Sequence, residues 1–487
     1  MPSNSLMFQG TGSDVGKSLV VAGLCRALVK RGMTVRPFKP QNMSNNAAVT
    51  PDGGEIGRAQ ALQAKASGVA PHIDMNPVLL KPQSDVGAQL VVMGKVEGNY
   101  PARDYQTKKI ELMDVVVAAS ERLQAEADIV LIEGAGSAAE VNLRENDIAN
   151  MGFAVASQTP VVLVADIDRG GVIASVVGTW ELLLKEERAL VAGYVINKFR
   201  GDVTLFEGGI KVIKEKTGLT CFGVIPYVPK AAKLPQEDAH TLENTKREVS
   251  SGSIKIVVPR LAHISNYDDF DPLIAEPDVE LQFILPGDVL PGDADLVILP
   301  GSKTTITDLA DLRRQGWDVD LAAHLRRGGA VLGICAGYQM LGTYIDDQEK
   351  TESEITSIEG LAHLNVHTEL GGDKSLVEIT ADSALDCGIF KGYEMHIGIT
   401  AGPDCDQPFA SVDGKDIGAV SQDGKVMGCY LHGLFADDDF RHGFLSRLKD
   451  REISSVSYDL EVEQALDAIA AAFEEALDID GMLAAVK

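Results

Sequence analysis

The stretch Leu6-Met7-Phe8-Gln9-Gly10-Thr11-Gly12-Ser13-Asp14-Val15-Gly16-Lys17-Ser18 runs from an apolar segment through a glycine-rich turn into a helical pattern. A short buried strand, a turn of small residues and a helix form a phosphate cradle. Successive backbone N–H groups wrap the phosphate oxygens at the positive end of the helix. In this reading Gly12 and Gly16 shape the loop, Lys17 reaches the β- and γ-phosphates, and the Ser18 hydroxyl ligates Mg²⁺. The pattern G-x-x-x-x-G-K-[ST] is missed by one place, because Thr11 stands where the first glycine belongs. The flanking strand, the helix and the intact Gly-Lys-Ser set the segment apart from a chance glycine-rich turn.

Working outward, β and α signals alternate through the first 229 residues. Asp128–Ile132 and Pro160–Ala165 are short apolar runs of the kind buried in parallel sheets, with weaker strands at Val191–Ile196 and Cys221–Ile225. Between them Tyr105–Ala127 and Val172–Glu187 carry helical periodicity, and Lys17–Arg31 ends at Gly32. The expected fold class is α/β, a doubly wound parallel sheet. An acidic metal ligand belongs at the C-terminal end of a neighbouring strand. Glu133 fits that place. Asp166 and Asp168 also end a strand, and Asp168 reads equally well as a loop cap. Asn197 closes a further strand and is placed to read the adenine edge of ATP.

Residues 230–253 are polar and weakly patterned, and read as a linker. A second α/β unit follows over 254–450, with strands at Ile254–Val258, Ala294–Pro300 and Ala330–Cys335. Shorter strands and turns fill Leu361–Tyr430, and 451–487 reads as a helical C-terminal extension. In this unit Gly333-Ile334-Cys335-Ala336-Gly337-Tyr338-Gln339 has the spacing of a nucleophile elbow, a strand-to-helix corner that exposes the side chain between two glycines. The following helix points its N-terminus at the sulfur and favours the thiolate. A thiolate nucleophile needs a proton shuttle. His432, after the apolar run Cys429-Tyr430-Leu431, leads among nine histidines, with His396 second. Oxyanion donors are expected from the Ala336 amide and the turn Pro300-Gly301-Ser302-Lys303.

The chain has 487 residues, and a net charge of −27 from 44 basic and 71 acidic residues. That charge argues against nucleic-acid or anionic-membrane partners and for small-molecule substrates. An anionic substrate then needs a local basic site. Six scattered cysteines fit a reducing cytoplasm and neither a disulfide framework nor a zinc module. The N-terminus has no basic region typical of a signal peptide, and no apolar run approaches the roughly 20 residues of a membrane span.

The Cys335 motif with Tyr430-Leu431-His432-Gly433 resembles the class I glutamine amidotransferase domain of the cobalamin-pathway type. Gly10–Ser18 resembles the phosphate loop of the dethiobiotin synthetase-like amide ligases. Phe38–Asn46, Asn76–Gln83, Asp147–Phe153 and Gly301–Thr305 are similar to segments of the cobyric acid synthases. The resemblance runs from Leu6 to about Arg447. It implies an N-terminal ATP-dependent amide ligase and a C-terminal glutaminase. Together they would turn adenosylcobyrinic acid a,c-diamide into adenosylcobyric acid by four amidations. It further implies that Gln339 belongs to the glutamine site, that Asp147 is a catalytic carboxylate, and that Lys39, Gln41, Asn42 and Lys81 contact the corrinoid. Many class I amidotransferases carry a glutamate two places after the histidine. Here that place is Leu434, so a Cys–His dyad is expected, as in the cobalamin-type branch. Competing readings are a cobyrinic acid a,c-diamide synthase, or a partition-type regulatory ATPase with an inactive glutaminase.

Overall fold

The computed structural model describes residues 4–84, 87–235, 253–352 and 355–486. The chain divides into two compact units, one of Met1–Ser44, Gly54–Leu234 and Val462–Lys487, the other of Asn45–Gly53 and Pro235–Glu461. Most of the stretch expected to link them, 236–252, lies outside the described residues.

The first unit is built on β1 (Ser5–Gly10), β2 (Val35–Phe38), β7 (Ile129–Ser137), β8 (Val161–Asp166), β9 (Val191–Phe199) and β10 (Thr220–Pro226), with β3 to β6 given below. They form one parallel sheet in the order β10-β9-β8-β1-β7-β2. The sequence dictates this burial. Every residue of Val161–Ala165 is fully buried, as a strand covered on both faces requires. Strand order reverses on either side of β1, so the loops after β1 and β7 open into one crevice at the carboxyl ends of the strands, where α/β sheets bind ligands.

A second sheet of four strands was not expected. It consists of β3 (Gln41–Met43), β4 (Val78–Ser84), β5 (Gly87–Val92) and β6 (Lys95–Pro101), in that order. The first unit's helices include α1 (Lys17–Lys30), α2 (Arg58–Ala66), α3 (Ala102–Glu126), α4 (Met151–Ser157) and α5 (Val172–Leu182). The expected helix Val172–Glu187 stops at Leu182, because the Glu187 carboxylate caps the Leu184 N–H at 2.7 Å and starts a separate turn over Lys185–Arg188.

The second unit repeats the parallel design with β11 (Ile254–Pro259), β12 (Val279–Ile284), β13 (Leu296–Leu299) and β14 (Ala330–Ile334). Also in this unit are β15 (Ile389–His396), β16 (Ala419–Val420), β17 (Val426–Cys429) and β18 (Leu431–His432). The main sheet order is β12-β11-β13-β14-β17-β16, antiparallel only at the β16–β17 edge. Its helices include α6 (Thr305–Arg314) and α7 (Ala336–Leu341).

Two last helices, α8 (Tyr458–Ala476) and α9 (Ile479–Ala484), carry the acidic C-terminus. From Val462 onward this stretch belongs to the first unit. Leu466, Ile469 and Phe473 are fully buried, and a Cβ on Gly23 would lie 2.4 Å from the Phe473 ring, so the glycine lets α8 lie close on α1. Arg31 meets Glu474 and Asp480 at 2.7 Å each, and Arg26 meets Glu463. The apolar contact carries most of the attachment, since exposed ion pairs contribute about 0–1 kcal/mol each. Among the described residues no helix is long and apolar enough to cross a membrane.

Candidate functional site

The loop between β1 and α1 has the geometry of a phosphate cradle. Gly16 sits at φ 91°, and a Cβ there would lie 2.4 Å from the Asn197 amide nitrogen, so only glycine fits. A Cβ on Gly10 would lie 2.6 Å from the Gly12 carbonyl oxygen. The need for glycine therefore falls on Gly10 and Gly16, and Thr11 is accommodated with its N–H donating to the Val164 carbonyl at 2.9 Å. No side chain caps the N-terminus of α1, so the positive end of the helix faces the loop. Lys17 Nζ donates to the Gly136 carbonyl at 2.8 Å. Asn197 Nδ2 donates to the Val15 carbonyl at 2.8 Å, so this buried residue braces the loop's backbone.

Glu133 is 1% exposed and gathers the charges of the crevice. Its Oε1 accepts from Ser18 Oγ and from Lys39 Nζ, both at 2.8 Å, and its Oε2 accepts from Gln63 Nε2 at 2.6 Å. Burial alone would push this carboxyl up. The Lys39 ammonium, then Lys17 and the Gln63 amide, outweigh burial and hold it below its ordinary value. A hydroxyl and an ionised carboxylate side by side at a phosphate loop are the hard oxygen donors that Mg²⁺ takes alongside phosphate oxygens and water. Gln60 and Gln63, three apart on α2, were not singled out in the sequence, because glutamines on a short helix carry no pattern of their own. Asp168 pairs with Arg200 at 3.1 Å on the surface, whereas Asp166 accepts from Lys198 at 2.8 Å.

The residues expected at a corrinoid are more buried than surface contacts would be. Lys39 is held on Glu133, and Lys81 is paired with the fully buried Glu55 at 2.9 Å. Asn42 Nδ2 donates to Gln60 Oε1 at 3.0 Å, and Gln41 Oε1 accepts from the Tyr105 hydroxyl at 2.7 Å. Asp147 accepts backbone N–H bonds from Ala149, Asn150 and Gly152 at 2.8–3.2 Å, which fixes the turn that leads into α4. That turn abuts the carboxyl end of β7, where Asn150 Nδ2 donates to the Ala135 carbonyl.

In the second unit Cys335 stands at φ 53°, ψ −110°, between β14 and α7. A non-glycine residue in that region is strained, and strain of this kind marks a nucleophile elbow. The glycines around it are steric necessities. A Cβ on Gly337 would lie 2.0 Å from the Leu299 carbonyl oxygen, and one on Gly333 would lie 2.6 Å from the Gly337 backbone. His432 is fully buried, stacked on Tyr393 at 5.3 Å. Its Nδ1 lies 2.7 Å from Asp269 Oδ2, and the other oxygen of Asp269 accepts from the Gly433 N–H at 2.7 Å. Nε2 has no hydrogen-bond partner among the described residues and is the nitrogen left to Cys335. Burial opposes charge on this ring, but Asp269 outweighs burial, the Cys335 sulfur adds to it, and the imidazole is pushed up to about 10.

The partner that the sequence did not show is Asp269, which comes from the turn Tyr267–Phe270 and not from the position of Leu434, which is buried in the core. Gly301 lies against the histidine, since a Cβ there would be 3.0 Å from His432 Cε1. Gln339 is buried and locked, accepting from Thr305 Oγ1 at 3.0 Å and donating to the Ile397 carbonyl and the Tyr430 hydroxyl at 3.1 and 3.2 Å. His396 stacks on Tyr430 at 3.6 Å with its Nε2 3.7 Å from Glu394, a separate pairing from the His432–Asp269 one.

Comparison with known proteins matches residues 6–242 to a CobQ/CobB/MinD/ParA nucleotide binding domain and residues 255–440 to a CobB/CobQ-like glutamine amidotransferase domain. The chain is 56% identical over 481 residues to the cobyric acid synthase of Jannaschia sp. (strain CCS1), covering 99% of each chain. It is also 56% identical over 478 residues to that of Methylocella silvestris, covering 98% of this chain and 99% of the relative. The chain belongs to the cobyric acid synthase family. As a cobyric acid synthase it is a glutamine-dependent carbon–nitrogen ligase that uses ATP. The family name accounts for the pairing of the two motifs in one chain: one supplies ammonia and the other consumes it.

Proposed function

We propose that Cys335, His432 and Asp269 release ammonia from glutamine, and that the Lys17–Glu133 site in the N-terminal unit uses it to amidate corrinoid carboxylates. Cys335 attacks the glutamine side-chain carbonyl carbon, helped by N–H donors at Ala336 and Gly301. His432 takes the thiol proton at Nε2 and passes it to the nitrogen as the C–N bond breaks. Water, deprotonated by the same nitrogen, then cleaves the thioester to glutamate. Asp269 keeps Nδ1 protonated throughout and stabilises the imidazolium.

In the N-terminal unit the loop amides and Lys17 hold the ATP phosphates, and the γ-phosphoryl group passes to a corrinoid carboxylate. Ammonia adds to the acyl phosphate, and inorganic phosphate leaves with the C–O bond. Ser18 and Glu133 would hold Mg²⁺, which when bound would neutralise charge on the phosphates. Both the thioester and the acyl phosphate need sites that exclude water. Lys39 serves the phosphate end through Glu133; Gln41, Asn42 and Lys81 border the corrinoid, and Asp147 shapes the loop that faces it. Asn197 braces the ATP loop. Four turns of this cycle, on the b, d, e and g carboxylates, convert adenosylcobyrinic acid a,c-diamide to adenosylcobyric acid. The six cysteines, all unpaired, support a reducing cytoplasm.

The observation that carries this reading is the strained, triad-paired Cys335 in the same chain as a phosphate loop built on Lys17 and Glu133. Incubation of the a,c-diamide with ATP and glutamine should add four amides by mass spectrometry. Cys335→Ser should lose the glutamine-driven reaction and keep the ammonium-driven one. Loss of both reactions in a folded variant refutes the division of labour, and products stopping short of four amides refute the substrate assignment.

A further inference from the structure

Residues 45–53 lie by sequence within the nucleotide-binding match, yet they belong to the second compact unit. Ala47–Val49 is a short strand whose three residues are all buried. It packs against β15 and the strand Ser375–Ser383. The reaction as described gives this strap no task.

Its polar contact leads to the glutaminase machinery. The Ala47 N–H donates to Asn266 Oδ1 at 3.2 Å, and Asn266 is buried. Asn266 stands in the left-handed region at φ 51°, which asparagine tolerates better than most residues. The chain turns there from one catalytic segment to another. Just before it, the Ser265 N–H donates to the Gly301 carbonyl and the Lys303 N–H to the His263 carbonyl, both at 2.9 Å. Just after it, the Asp269 N–H donates to the Asn266 carbonyl at 3.1 Å, which closes the turn whose carboxylate holds His432. Asn266 Nδ2 lies 3.9 Å from Met395 Sδ, and the Met395 carbonyl lies 3.7 Å from Cys335 Sγ. One residue thus adjoins the segments that carry Gly301, Asp269 and the carbonyl beside Cys335.

We propose that Asn266 is a positioning residue of the glutaminase and that residues 45–53 are its anchor. The Ala47 N–H fixes the Asn266 side chain, and Asn266 sets the Asp269 turn against the Gly301 turn. This rests on the reading that Cys335, His432 and Asp269 release ammonia from glutamine. A non-glycine residue in a left-handed conformation persists where its surroundings hold it, and buried backbone N–H groups keep their partners. The glutaminase is then not complete within the matched residues 255–440, because its anchor is encoded some 200 residues earlier.

The test measures glutamate release and ammonium-driven amidation by the full chain, with kcat and KM for glutamine. Asn266→Gly keeps the left-handed turn and removes the side-chain bond. Its kcat for glutamine hydrolysis should fall about 10- to 100-fold, the scale of a small misplacement of reacting groups, with KM within about threefold and ammonium-driven turnover within about twofold. Ala47→Pro deletes the N–H and suits an extended backbone. It should reproduce the kcat loss, and it covers the case in which Asn266→Gly does not fold. Parent-like kcat in either folded variant overturns the proposal. A raised KM with kcat intact puts Asn266 at the substrate and overturns it as well. A lowered Tm with intact hydrolysis makes the bond structural only, and overturns it too. A parent protein that amidates with ammonium but releases no glutamate from glutamine refutes the glutaminase reading itself, and the proposal falls with it.

Discussion

Asp269→Asn should disable glutamine hydrolysis while preserving the ammonium-driven reaction. The substitution keeps shape and removes charge. Oδ1 of Asp269 accepts from the Gly433 N–H at 2.7 Å, so an asparagine there must keep its carbonyl oxygen toward Gly433. Its NH₂ group then faces His432 Nδ1, where the carboxylate stood at 2.7 Å. Nδ1 can only accept, the ring proton moves to Nε2, and Nε2 loses the lone pair that takes the Cys335 proton. Loss of the charge-assisted bond alone costs about 1.5–3 kcal/mol, or about 10- to 150-fold. The wrong tautomer extends this toward the 10²–10⁴-fold range of general acid–base catalysis. The assay is glutamate release against amide formation from ammonium chloride in one preparation. Glutamine hydrolysis should fall by about two to four orders of magnitude, with ammonium-driven turnover within about twofold. Hydrolysis within threefold of the parent would refute the triad assignment.

Gly337→Ala forces a methyl to within 2.0 Å of the Leu299 carbonyl oxygen, a backbone atom that cannot swing away. It should lower the urea midpoint by the equivalent of about 1–3 kcal/mol or more and abolish glutaminase activity, and a shift under about 0.5 kcal/mol counts against the tight elbow. Glu352 accepts from the Thr305 N–H at 2.6 Å at the start of α6, and burial pushes its carboxyl up to about 7 despite Lys303 and Thr305. The folded chain thus binds this proton more tightly than the unfolded chain, so stability falls as pH rises from about 4.5 to 7. Glu352→Gln should flatten that part of the Tm-versus-pH curve, and an unchanged slope removes Glu352 as its source.

What the sequence made legible was local. The phosphate loop and the cysteine elbow each lie within ten residues, and in the structure each is a corner between a buried strand and a helix. The strands β4 to β6 were not legible, because Lys95–Pro101 is a mostly exposed edge with no apolar alternation to mark it. Asp269 was missed for a different reason. It sits 163 residues before His432 in an acidic turn whose neighbours Asp268 and Asp271 look the same on paper. Only the fold selects one of the three.

Lys39 and Lys81 are expected, by resemblance, to contact the corrinoid. The fold instead ties them to Glu133 and Glu55, residues 94 and 26 positions away. This changes how an acidic protein handles anionic substrates. A cation already paired with a carboxylate gives a phosphate or propionate little net attraction; the anion must compete with the protein's own charge. Such pairs order a crevice more than they bind in it. Net attraction requires a cation whose partner is missing until the substrate arrives, held where low dielectric strengthens the contact. Lys17, bonded to the neutral Gly136 carbonyl, also shares its charge with Glu133.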